Sequence, residues 1–85
     1  MFYVYVLYSL SCSRFYVGMT DRPTDRLLEH NAGKTPSTKA YIPWKMVHQE
    51  VFSTRIEART REKYLKTAAG RKWRKQNIRP RGATE

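Results

Sequence analysis

The first nineteen residues constrain the fold more than any other stretch. Phe2 to Ser9 is rich in tyrosine and valine and carries apolar side chains at both parities. That is the pattern of a strand covered on both faces. Leu10 to Arg14 is a short polar turn and Phe15 to Met19 a second strand, so residues 2–19 predict a hairpin with a loop longer than two residues. Gly18, near the end of the second strand, marks a close backbone approach or a bulge.

The rest of the chain reads as helices around one further strand. Thr20-Asp21-Arg22-Pro23 starts a helix, with Thr20 or Asp21 as the cap and Pro23 tolerated in the first turn. It runs to about Asn31, stops at Gly33, and buries Leu27 and Leu28. Gly33 to Pro43 reads as an irregular loop. Trp44 to Phe52 is a third strand, with Trp44, Met46 and His48 on one side and Lys45, Val47 and Gln49 on the other. Thr54-x-x-Glu57 fits a capping box, and the helix it opens runs to about Ala69, before Gly70. A last basic helix covers Arg71 to Asn77 and stops before Pro80. The order β-β-α-β-α-α predicts an α+β domain over residues 1–78, a three-stranded, mainly antiparallel sheet flanked by helices. Residues 79–85 are expected to fray as a basic tail.

Several classes drop out. Eighty-five residues make one domain with a small core. The longest apolar run, Met1 to Tyr8, is far short of the ~20 residues of a membrane span. It lacks the flanks of a signal peptide. Cys12 stands alone, which excludes an internal disulfide and a cysteine-rich zinc site and makes a reducing, cytoplasmic setting the expectation.

Charge is the first positive clue. Lys plus Arg is 17 against 7 for Asp plus Glu, a formal net charge of +10. Residues 54–85 hold eleven of those basic side chains and three of the acidic ones. A polyanion is the natural partner, because phosphate neutralisation and counterion release drive such binding.

A few residues stand out as carriers of chemistry. Tyr3 and Tyr5 share one face of their strand, and Tyr16-Val17-Gly18 lies on the paired strand, although tyrosine is also a good sheet former with a wet hydroxyl. Arg26 and His30, spaced i, i+4, lie on one helix face. Arg26 suits a two-pronged phosphate contact and His30 a proton near neutral pH; the bland reading of both is a solvated polar face. Ala58, Glu62, Leu65 and Ala69 form one helical stripe, so a carboxylate lies in the row expected to face the sheet. Such a group needs a metal or an ion pair, for instance with Arg26. Cys12 reads as a surface thiol and His48 as a packed or interfacial histidine. No other metal-ligand or phosphate-loop pattern is present.

Together these pieces resemble the GIY-YIG endonuclease superfamily, and most of all its small single-domain members, from Met1 to about Ile78. The resemblance rests on Tyr-Val-Tyr-Val-Leu at 3–7, Tyr-Val-Gly-Met-Thr at 16–20, Arg26-Leu-Leu-Glu-His30-Asn31, Thr38-Lys39, Glu57-Ala58, Arg61-Glu62-Lys63 and Leu65-Lys66. Each motif alone is weak; their order and spacing in so short a chain are specific. The first motif has Tyr3-Val4-Tyr5 where the name-giving version is Gly-Ile-Tyr, and the second has valine for isoleucine; neither change removes a reactive group. The resemblance implies a three-stranded antiparallel sheet flanked by helices and metal-dependent hydrolysis of DNA phosphodiesters. It implies catalytic roles for Tyr5, Tyr16, Arg26 and His30, a motif-glycine role for Gly18, and metal binding by Glu62, with Asn77 a further family position.

The expected mechanism uses Mg²⁺ or Mn²⁺ on Glu62, Arg26 on the charge of the transition state, and Tyr5 as general base. Tyr16 or His30 would orient the water or Tyr5. A free tyrosine has a pKa near 10, so this assignment expects the nearby guanidinium and metal to lower it. Lys39, Arg61, Lys66, Arg71, Lys72, Arg74 and Lys75 are expected to contact DNA. Tyr41, Trp44 and Trp73 are expected to hold the backbone or stack on exposed bases, with a core anchor as the other reading of Trp73. The expected substrate is structured DNA (a branch, flap, nick or single strand) in repair or recombination, with a protein partner or homodimer left open. The rival is a nucleic-acid-binding module that does not cut.

Overall fold

The computed structural model describes residues 1–78. Three strands, β1 (Phe2–Ser9), β2 (Phe15–Thr20) and β3 (Trp44–Phe52), form one antiparallel sheet in the order β2-β1-β3. Three helices follow in the expected order: α1 (Pro23–Asn31), α2 (Arg55–Leu65) and α3 (Ala68–Asn77). The α+β expectation holds. The tail 79–85 lies outside the described residues. Among the described residues no helix is long and apolar enough to cross a membrane.

The central strand explains the arrangement. Alternate residues of β1 point to opposite faces. Val4 and Val6 enter one buried cluster with Val17, Ala58, Leu65 and Ile78, under α2 and α3. Tyr5 and Leu7 enter another with Trp44, against which Tyr16 and Leu27 pack on the α1 side. Each fully buried aliphatic side chain contributes about 1.5–3 kcal/mol, so both layers are needed to hold a sheet this small.

Four local expectations are corrected. The α1 cap is Arg22, with no side-chain capping bond; Thr20 instead accepts from the Arg22 N–H at 3.0 Å. Only Leu27 packs inward, whereas Leu28 is 64% exposed. The second helix ends at Leu65 rather than near Ala69, and Thr67 opens α3 by accepting from the Gly70 N–H. Gly70 is therefore inside a helix rather than at a stop, and it must be glycine because a Cβ there would strike the backbone of Tyr64 and Leu65. Ala69 is exposed, so the stripe through Glu62 ends at Leu65.

The fourth correction concerns β3. Val6 pairs with His48 but Leu7 pairs with Met46, so Val47 is an extra residue and the strand changes parity. Trp44 and Met46 belong to the α1 face, while His48 crosses to the other face and packs edge-on to Trp73, ring centroids 5.6 Å apart. The expected sharing of one side by Trp44, Met46 and His48 fails at this bulge. The loop between α1 and β3 is also more ordered than expected. It holds a 3-10 turn, Lys39–Tyr41, and Ser9 pins it by donating to the Tyr41 carbonyl at 2.7 Å.

Candidate active site

The candidate site lies on the α1 face, where the hairpin, α1 and the following loop meet. Tyr5 and Gly18 are direct cross-strand partners, and so are Leu7 and Tyr16. The Tyr5 phenol lies over Gly18, and a Cβ at that position would run into its oxygen. The glycine is thus required by a tyrosine on the neighbouring strand. Tyr16 stands beside it, with ring centroids 6.2 Å from Tyr5 and 4.9 Å, edge-on, from His30.

His30 comes from the last turn of α1 and is fully buried. A buried imidazole needs partners for both nitrogens. Nε2 lies 3.0 Å from the Tyr5 hydroxyl and Nδ1 lies 2.9 Å from Thr38 Oγ1. The Thr38 hydroxyl donates to the Thr35 carbonyl at 3.3 Å. With its proton used there, Thr38 accepts from His30 Nδ1–H, which leaves the Nε2 lone pair to accept from Tyr5. A directed chain results, from Tyr5 O–H through the imidazole and the Thr38 hydroxyl to the Thr35 carbonyl.

The surroundings fix this chain in place. Trp44 donates its indole N–H to the Thr38 carbonyl at 3.0 Å. Asn31 grips the Trp44 backbone from both sides, donating to its carbonyl at 3.0 Å and accepting from its N–H at 2.6 Å. These bonds tie the end of α1 to the start of β3. The sequence reading missed the part played by Thr38 and Asn31. Both occur in the motifs behind the resemblance, but a hydrogen bond across the loop leaves no mark in periodicity.

The electrostatics reverse one expectation. Burial, aided by Tyr16, pushes the Tyr5 pKa up to about 12, and the adjoining Arg26 guanidinium only partly opposes this. The expected lowering of Tyr5 does not occur because loss of hydration outweighs one nearby cation. His30 is held below its usual value, first by burial and then by Arg26, so it is neutral at pH 7. Arg26 itself donates to Glu29 at 2.8 Å and stays half-buried at the rim.

Tyr5, Tyr16, Arg26 and His30 are thus gathered in one place, whereas Glu62 belongs to the other layer. Its helix packs Ala58 and Leu65 against Val4, Val6 and Val17, and touches β1 and the edge strand β2. The Glu62 side chain is 15% exposed and pairs with Lys66 at 3.0 Å, not with Arg26. Its Oε1 has no hydrogen-bond partner among the described residues. One hard, partly hydrated oxygen suits a Mg²⁺ that keeps most of its waters. Among the described residues no three His, Cys, Asp or Glu side chains cluster as a metal site, so Glu62 would be a lone protein ligand.

The cations expected on DNA divide in two. Lys39, Arg71, Lys72 and Lys75 are exposed. Arg74 is 8% exposed and donates its Nε–H to the Leu65 carbonyl at 3.1 Å, so it secures the α2–α3 junction. Lys66 is engaged by Glu62 and Arg61 by both oxygens of Glu50, at 2.9 and 3.0 Å. Asn77 is exposed and donates to the Trp73 carbonyl at 2.9 Å. Trp73 packs against the core, in line with its reading as an anchor, and Trp44 is too buried to stack on a base. Cys12 is exposed, as expected of a surface thiol.

Comparison with known proteins gives the same outline. The model of the GIY-YIG catalytic domain matches residues 1–77. A UPF0213 protein of Staphylococcus haemolyticus is 41% identical over 66 residues, covering 76% of this chain and 79% of its own length. One of Bacillus licheniformis is 42% identical over 62 residues, covering 69% and 64%. One of Haloquadratum walsbyi is 38% identical over 66 residues, covering 76% and 73%. No solved structure matches the chain.

Proposed function

This chain belongs to the GIY-YIG catalytic domain family, a nuclease-type domain, and from that premise we propose that it is an endonuclease hydrolysing DNA phosphodiester bonds. The observation that carries the reading is the directed chain from Tyr5 through His30 to Thr38. A phenol with a pKa pushed up to about 12 is a poor free base. Coupled to a neutral imidazole, it need not ionise beforehand. As water attacks phosphorus, its proton passes to the Tyr5 oxygen while the Tyr5 proton passes to His30 Nε2. Thr38 holds the imidazole in the tautomer that receives it, and Tyr16 flanks the ring.

Arg26 sits at the rim, where its charge stabilises the extra negative charge of the transition state. Glu62, carried by α2 against β1 and the edge strand β2, would be the residue to hold Mg²⁺ or Mn²⁺, which would supply Lewis-acid charge to the phosphate when bound. Lys39, Arg71, Lys72 and Lys75 offer charge to the DNA backbone. Structured DNA, handled in repair or recombination in the cytoplasm, is the substrate class this reading favours.

Plasmid and branched DNA incubated with the protein, with Mg²⁺ or with chelator, test it. Nicking that needs the metal and is lost in Glu62→Ala and Tyr5→Phe is the expected result. Retarded DNA with no cut product in Mg²⁺ would overturn the reading in favour of a binding module, and nicking that survives Glu62→Ala would remove that residue from the site.

A further inference from the structure

Beside Tyr16 the surface opens into a cleft of about 140 Å³ lined in part by Arg14, Tyr16, Ser37, Thr38, Tyr41 and Trp44. Three of these walls are aromatic. The Tyr41 ring is half-buried, and the Arg14 guanidinium lies over it at 4.7 Å from the centroid. Tyr41 meets Trp44 edge-on, with centroids 6.3 Å apart, so its orientation is fixed from behind. Ser37 and Arg14 are exposed at the mouth.

Nothing in the hydrolytic scheme uses this cleft, yet it shares Tyr16 and Thr38 with the proton-transfer chain. A site for one planar heterocycle beside a site for its phosphate is what a nucleic acid presents when a single base leaves the stack. Flat π-faces recognise any base without reading its edge, and a guanidinium both stacks and pairs with phosphate. Among the described residues Arg14 makes no ion pair or side-chain hydrogen bond beside its cation–π contact with Tyr41, which leaves its guanidinium able to turn toward a neighbouring phosphate.

We propose that this cleft binds one unpaired nucleobase adjoining the scissile phosphate, with Tyr41 as the stacking platform and Arg14 as its clamp. The proposal rests on the endonuclease reading and deepens it. The protein would distinguish nucleic acid by the presence of an extrudable or unpaired base, not by sequence. A fully paired duplex must first unstack a base to fill the cleft and is disfavoured by that cost.

The test is a binding measurement in chelator, independent of cutting. Oligonucleotides carry one fluorescent adenine analogue in a single strand, in a fully paired duplex, or as an unpaired bulge in the same duplex. The bulge is expected to bind about ten-fold or more tighter than the paired duplex, with its fluorescence quenched on binding. Tyr41→Phe should keep both effects and Tyr41→Ala should lose both. Arg14→Ala should weaken the preference. Ser37→Trp, at the exposed rim, should block quenching without disturbing the core, which covers the case in which Tyr41→Ala does not fold. Equal affinity for bulged and paired DNA, or quenching unchanged in Tyr41→Ala and in Ser37→Trp, overturns the proposal. Nicking in Mg²⁺ without quenching in chelator sinks the cleft alone; quenching without nicking supports the cleft and sinks the nuclease reading.

Discussion

The two faces of the sheet are made by the same strand and do opposite work, with one crossing: Glu62, which α2 supplies to the proposed metal site. On the α2–α3 face, Val4 and Val6 meet aliphatic side chains, and the groups left to hydrogen-bond sit at its margin. On the α1 face, Tyr5 meets a buried histidine, which is joined in turn to a buried threonine. Residues one position apart are thus committed to stability on one side and to polar chemistry on the other. A sheet this small keeps a costly polar layer only because the second layer supplies most of the apolar burial.

The sharpest way to break this division is to damage each face separately. Tyr5→Phe should lower the nicking rate by about 10²–10⁴. Its stability cost should stay near the ~1–3 kcal/mol of leaving the His30 acceptor unpaired. Leu65→Ala, at a fully buried position of the other face, should cost about 2–5 kcal/mol in urea unfolding while the rate per folded molecule changes little. Tyr5→Phe with full activity, or Leu65→Ala with a crippled rate in a folded protein, would mean that the faces are not divided in this way. Gly18→Ala tests the same border from β2. Its methyl group must displace the Tyr5 phenol, so nicking should fall nearly as far as in Tyr5→Phe.

The division of labour is partly legible in the sequence. Tyrosine and valine at both parities of residues 2–9 announced a strand covered twice, and the Thr54–Glu57 box placed the start of α2 at the residue where it begins. Where the reading failed, a tertiary contact decided. Gly70 looked like a helix stop, but it is a glycine because α3 presses on the end of α2. His48 changed face because one extra residue in β3 shifts the parity, and nothing in Trp44 to Phe52 marks Val47 as that residue. Arg74 also caps the buried Leu65 carbonyl, a contact that composition does not encode. The direction of the Tyr5 shift was missed because it depends on a balance of burial against one guanidinium, and burial is a property of the assembled domain.

A smaller effect separates the faces by pH. His30 is depressed below its ordinary 6.5 by burial foremost. Between 6.5 and its folded value the unfolded chain takes up a proton that the native protein refuses, so native stability falls as pH drops through that window. The same proton occupies Nε2, the atom that accepts from Tyr5, so nicking should show an acid limb at or below pH 6.5. Thr38→Val removes the acceptor that fixes the tautomer. It should slow nicking by about 10-fold or more, the scale of losing a histidine's orienting partner, and alter the acid limb. A flat pH–rate profile from 5 to 7, bounds chosen about the ordinary histidine value, would separate His30 from the proton transfer.

The smallest effect belongs to the margin of the other face. Burial works to raise Glu50, but Arg61 and then His48 outweigh it and hold the carboxyl below its ordinary 4.5. The stabilisation is present above 4.5 and is lost as pH falls through the lower folded value, because the unfolded chain protonates first. The pair is part-exposed and solvent screens it, so about 1 kcal/mol or less is expected. Urea midpoints below pH 4.5 should therefore fall less steeply in Glu50→Gln than in the parent, while the loss that begins near 6.5 stays unchanged. If Glu50→Gln removed the upper loss as well, the two faces would share one electrostatic unit, and His48, which lies between Val6 and Trp73, would be the residue joining them.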